Sequence, residues 1–191
     1  FAEFIGTRVQ LQGFTGYSAG LDTKMGATGK ESIHTTFGQG ESAIQVMFHV
    51  ATMLPFQEHD EQKVERKRHL GNDVVVVIFK ESSCPEDVVN IPSFVSHFNH
   101  VFVVVSPVKG KEGVDKEYRV SIASKSPVKP FPPFFPGTSN VFKKNDAFRV
   151  WLLKKLINAE RTAIEAPDFR GSMMNTRKTM LMSVIEACAK K

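Results

Sequence analysis

The stretch KVERKRHLGNDVVVVIF, Lys63–Phe79, joins a basic segment to the most hydrophobic strand of the chain through a Gly-Asn-Asp break. Asp60 can cap a helix that runs to about Leu70, with Asp60 and Glu61 at its start and Arg66, Lys67 and Arg68 at its end, charges placed to match the helix dipole. Gly71 serves as its C-terminal stop. Val74–Phe79 then runs apolar and largely β-branched with little alternation, the pattern of a strand covered on both faces in the middle of a sheet. Val64 is the only large apolar residue of the helix before Leu70, and a helix polar nearly all round faces solvent or a partner.

Further strands lie on both sides of this unit. Ser32–Phe37 (SIHTTF) and Ile44–Val50 (IQVMFHV) alternate and are joined by a glycine-containing polar segment, so they read as a hairpin with an enlarged loop. Val101–Val105 is a second central strand, whereas Tyr118–Ala123 (YRVSIA) alternates and reads as half-exposed. Pro127–Gly137 (PVKPFPPFFPG) has five prolines, which deny the backbone its donors. It is expected to be extended, to wrap its phenylalanines onto the body and to mark the end of the sheet. From Asp146 the period becomes helical: Phe148, Leu152, Leu156 and Ala159 form one stripe, Pro167 closes that helix, and another helix runs from about Met173 to Ala189. A sheet core followed by C-terminal helices reads as one mixed α/β domain over residues 1–191, a central mixed β-sheet flanked by helices.

The 191 residues can bury a core without disulfides or a structural metal. The longest all-apolar run, Val74–Phe79, is too short to span a bilayer. Cys84 and Cys188 form no CxxC pair, and the first residues lack a signal-peptide layout, so a reduced, cytoplasmic setting is expected. The formal net charge of +5 favours an acidic partner. RNA-binding strand motifs and zinc-finger spacing are absent, which argues against nucleic acid.

Several apparent sites fail on their chemistry. MGATGKES, Met25–Ser32, is not a P-loop: its Gly-to-Gly gap is two residues short, and Glu31 stands where a magnesium-binding hydroxyl belongs. His97 and His100 could share a helical turn, but no carboxylate or cysteine at ligand spacing accompanies them, so no metal is expected. The serines lack a G-x-S-x-G elbow. Asn72 remains, with two readings. It is either a helix-end residue tolerant of left-handed backbone, or a carboxamide held between helix and strand so that it orients a water or a phosphate.

At RKRHLGNDVVVVIF, Arg66–Phe79, the chain closely resembles the catalytic motif of the Rap GTPase-activating proteins. GYSAGLDTK (Gly16–Lys24), SIHTTF and VMFHVATMLPF (Val46–Phe56) upstream are similar to successive segments of that family, as are SHFNHVFVVV (Ser96–Val105) and LLKKLINAE (Leu152–Glu160) downstream. It departs from the family pattern at Gly26-Ala27, at Lys30-Glu31 and in the enlarged hairpin connection, and Phe56 replaces a common tyrosine. The resemblance implies a fold like that of the GTPases themselves. It also implies that the protein accelerates GTP hydrolysis by a small Ras-like GTPase, Rap first and Ral or Rheb as alternatives. A non-catalytic GTPase-binding scaffold is the rival from another class. Rap lacks the switch glutamine that positions water in Ras, and the family supplies an "asparagine thumb" in trans. Asn72 holds that position; Lys67 and His69 align with residues that support activity, Phe98 with a GTPase contact, and Arg66 and Arg68 are nearby cations expected to bind the GTPase. GTP and Mg²⁺ would belong to the partner, with no cofactor held by this chain, and recruitment to membranes would come through the lipid-anchored partner.

Overall fold

The computed structural model describes residues 1–56, 64–81, 88–94, 96–108 and 117–189. The chain begins with a one-turn helix α1 (Ala2–Ile5) and strands β1 (Thr7–Gln10), β2 (Glu31–Phe37) and β3 (Ile44–Phe48). Next come helix α2 (Val64–Leu70), strands β4 (Val75–Phe79), β5 (Val101–Val108), β6 (Glu117–Ser124) and β7 (Val141–Lys143), and helices α3 (Asp146–Ile164) and α4 (Pro167–Ala189).

The architecture is the expected mixed α/β, with its strands divided between two sheets. β1, β2 and β3 form an antiparallel sheet, in which Ile33 pairs with Phe48 and Phe37 with Ile44, as the hairpin reading required. The mixed sheet has the order β4-β5-β6-β7, with β4 parallel to β5 and the remaining pairs antiparallel. β5 is the central, covered strand that its sequence predicted; Val101, Phe102, Val103 and Val105 are fully buried. β4 differs from expectation. Among the described residues it pairs only with β5, so it is the edge of its sheet, and most of its residues are half-buried. A β-branched run signals a strand but not how many neighbours it has.

The helical stripe is as expected: Phe148, Leu152, Leu156 and Ala159 of α3 pack on Val103, Val105, Tyr118 and Val120 in the main core. Full burial of each leucine stabilises the fold by about 2 kcal/mol. The Asn145 side chain caps α3 by accepting from the Phe148 N–H at 3.0 Å. Pro167 lies at the start of α4, beyond the end of α3, so the last helix begins six residues before Met173. Proline suits a first helical turn, where its missing N–H would have no partner.

The proline-rich segment does wrap onto α3, which satisfies its carbonyls: Lys155 Nζ donates to Phe131 O (2.6 Å), Asn158 Nδ2 to Pro132 O (3.0 Å) and Trp151 Nε1 to Phe134 O (3.2 Å). Phe131 is buried, whereas Phe134 faces outward. The segment does not end the sheet, because β7 follows it and pairs with β6. Three residues are too few to reveal a period of two. Among the described residues no helix is long and apolar enough to cross a membrane.

Candidate functional site

α2 is short, none of its described side chains is fully buried, and Leu70 and Arg66 anchor it. Leu70 packs on the second core cluster, formed by Leu11, Leu21, Met47 and Leu54. The Arg66 guanidinium donates to Leu54 O and Pro55 O, both at 3.3 Å, and lies 4.9 Å from the centre of the Phe56 ring. Arg66 is thus turned back onto the segment after β3, while Lys67 and Arg68 are exposed. The predicted cap Asp60, with Glu61, falls outside the described residues.

The turn after α2 is fixed by its own backbone and by the segment before β5. Gly71 N–H donates to Lys67 O at 2.7 Å, and Asn72 N–H to His69 O at 3.0 Å. Neither Gly71 nor Asn72 adopts left-handed backbone; among the described non-glycine residues only Ala19 does, at φ 51°. Glycine is needed at 71 for a different reason. A Cβ there would lie 2.6 Å from Lys67 O, inside van der Waals contact. Ser96 Oγ donates to Gly71 O and accepts from the Phe98 N–H (3.0 Å). The buried Asn99 reaches both sides of the turn, its Nδ2 donating to Leu70 O (2.9 Å) and Asp73 O (2.6 Å). Lys125 Nζ, from the end of β6, holds Ser96 O at 2.6 Å. These tethers join helix end, turn and strand start at one corner.

Asn72 stands exposed on that corner. Its Nδ2 donates to Arg68 O at 2.8 Å, closing a ring against the last turn of the helix. With one N–H so committed, a carboxamide still has a second N–H and an acceptor oxygen to offer. Below it, Asp73 Oδ1 meets His49 Nδ1 at 2.8 Å, and the His69 ring stands edge-on to His49 with centroids 5.1 Å apart. Phe98 is half-exposed beside the corner and 6.1 Å from Phe169 of α4, ring centre to ring centre. His100 is buried, with Nδ1 against Phe98 O at 2.8 Å. The structure therefore gathers Lys67, Arg68, His69, Asn72 and Phe98 around one exposed corner, with Arg66 beneath its edge.

A family model described as Rap/ran-GAP matches residues 1–178. The chain belongs to the Rap/ran-GAP family. The domain is 40% identical to a GTPase-activating protein of Dictyostelium discoideum over 96% of this chain. It is 42% identical to a PH and Rap-GAP domain-containing protein of the same organism over 95% of the chain. Identity to the human GTPase-activating Rap/Ran-GAP domain-like protein 3 is 38% over 96%. It spans 17%, 14% and 17% of the length of those three relatives. Among solved structures, the TSC2 GAP domain shares the fold, with a TM-score of 0.66 and 24% identity over 85% of this chain and 80% of that one.

In this Rap/ran-GAP domain, four residues that local pattern did not reveal hydrogen-bond at or beside this corner: His49, Ser96, Asn99 and Lys125. Each acts across 25 or more residues, or in the case of His49 across 24. No spacing rule reaches so far. The only local signal was the SHFNH segment, whose polar residues directly precede a buried strand.

Proposed function

We propose that this domain stimulates GTP hydrolysis by a small Ras-like GTPase of the Rap type, with Asn72 entering the partner's active site. The observation that carries this reading is the exposed carboxamide of Asn72 on a corner tethered to the helix end and to the segment before β5. Such a group does little for stability, and its placement suits a task performed on another molecule. Docked on the γ-phosphate side of the bound nucleotide, the Asn72 oxygen accepts from the attacking water. Its second N–H is free for a phosphate oxygen. A neutral group contributes by positioning rather than by charge, and the partner's own lysine and Mg²⁺ handle the phosphate charge. Lys67 and Arg68 supply exposed cations for an acidic switch surface, Phe98 an apolar anchor, and His69 supports the turn from below. GTP and Mg²⁺ belong to the partner. The domain then works on the cytoplasmic face of membranes that carry the lipid-anchored GTPase.

Single-turnover hydrolysis across GTP-loaded Rap, Ral, Rheb and Ras tests this. Stimulation of Rap above the others is the expected result. Preference for Ral or Rheb would move the substrate while keeping the mechanism. Binding without stimulation of any member would make the domain a scaffold.

A further inference from the structure

The His49 side chain joins three segments far apart in sequence. Its Nδ1 lies 2.8 Å from Asp73 Oδ1, and its Nε2 lies 3.1 Å from the backbone oxygen of Ala19. An ionised carboxylate and a carbonyl are both acceptors only, whereas a neutral imidazole has one N–H and one lone pair. The imidazolium alone satisfies both contacts. Ala19 reinforces the point: its left-handed backbone is unusual for a residue with a Cβ, and its carbonyl is aimed at His49.

Asp73 is the residue after Asn72, so its side chain and backbone set where Asn72 points. Its backbone oxygen is held by Asn99 and its carboxylate by His49. We propose that His49 is a positioning residue for Asn72: its imidazolium clamps the Asp73 carboxylate to the Ala19 carbonyl and so fixes the direction of the turn that carries the thumb. The proposal rests on the function proposed above. Among the described residues, the ionisable groups that bear on the clamp come from three elements. Asp73 comes from the turn, His69 from α2, and Glu160 from α3. Glu160 is an exposed residue whose carboxyl, partly desolvated and near the charge of Asp73, has a raised affinity for a proton, with Arg161 opposing the shift. Burial alone would lower the His49 pKa, but the Asp73 hydrogen bond and charge, with the Ala19 carbonyl, outweigh it and raise the value above that of ordinary histidine.

Two substitutions separate the halves of the clamp. Asparagine places an N–H near the Nδ1 position and glutamine near the Nε2 position. His49→Asn therefore keeps the link to Asp73, and His49→Gln keeps only the link to Ala19. In single-turnover hydrolysis at saturating domain, His49→Gln is expected to lower the maximal rate at least ~10-fold with partner affinity within about threefold. His49→Asn should stay within about threefold of the wild-type rate. Equal rate losses in both variants, tracking lost thermal stability, would reduce His49 to a packing residue and overturn the proposal. So would a wild-type rate in His49→Gln. A readout without hydrolysis is the Asn72 side-chain NH₂ signal in nuclear magnetic resonance of the isolated domain. It should shift and broaden in His49→Gln but not in His49→Asn, and unchanged spectra in both would sink the clamp. If the wild-type domain activates no GTPase, the proposed function fails, and these spectra still decide whether His49 holds Asn72.

Discussion

Asn99 illustrates how much the corner depends on one amide. Its Nδ2 serves two main-chain oxygens, Leu70 O and Asp73 O, that flank Asn72, and the residue is buried. Asn99→Ala strands both acceptors, and a loss of ~3 kcal/mol of stability is expected by urea denaturation. His49 gives the same corner a pH dependence. Its folded pKa lies above the ordinary 6.5. The clamp's contribution is therefore complete below pH 6.5 and is lost as pH rises through the higher folded value. Urea midpoints of wild type and His49→Gln should converge as pH rises across that window; a gap constant with pH would count against an ionised His49. The sequence pointed to Asn72, Lys67, His69 and Phe98 but not to this support. Hydrogen bonds between residues 24 to 29 positions apart leave no local pattern to read.

α2 shows why a helix with little apolar surface can still be fixed. One leucine packs at its C-terminal end, one arginine reaches back to the preceding segment, and the turn is pinned from the segment before β5. Its basic end and glycine stop were legible because caps and charges follow local rules. The reason for Gly71 was not: it is a close approach of backbone, visible only once the chain is folded. Phe98 belongs to the same scale. Nearly half its surface is exposed (48%), so the fold loses little when the ring is removed. Phe98→Ala is expected to weaken GTPase binding by ~2 kcal/mol, measured by titration, with thermal stability nearly unchanged. A large fall in melting temperature at equal affinity would place the ring in the structural core instead.

Across the whole molecule, long runs and strong periods were the legible part: the β2-β3 hairpin, β5, and the buried stripe of α3. Elements carried by tertiary packing were not. β1 is largely exposed, β7 has three residues, and β4 is an edge among the described strands, because pairing order is decided by distant segments. The net charge of +5 also acts at this scale, with Lys67 and Arg68 exposed beside Asn72. Steering of an acidic GTPase surface should slow as salt screens it, with a fall in association rate of roughly tenfold between about 0.05 and 0.5 M salt. Stopped-flow measurement checks this, and a rate independent of salt would remove the electrostatic role of those cations.

In the proposed function, Asn72 performs chemistry on a bound GTPase rather than capping a helix. Activators of this class supply up to about 10⁵-fold, or ~7 kcal/mol. The decisive measurement is single-turnover GTP hydrolysis by Rap at saturating domain, comparing wild type with Asn72→Ala. A fall of ~10³-fold or more, with affinity within about 1 kcal/mol of wild type, is predicted. Asn72→Asp should give no rescue, since an ionised carboxylate donates no hydrogen bond and meets the phosphates with like charge. Near-normal turnover by Asn72→Ala would rule out the thumb role and leave this asparagine a helix-end residue.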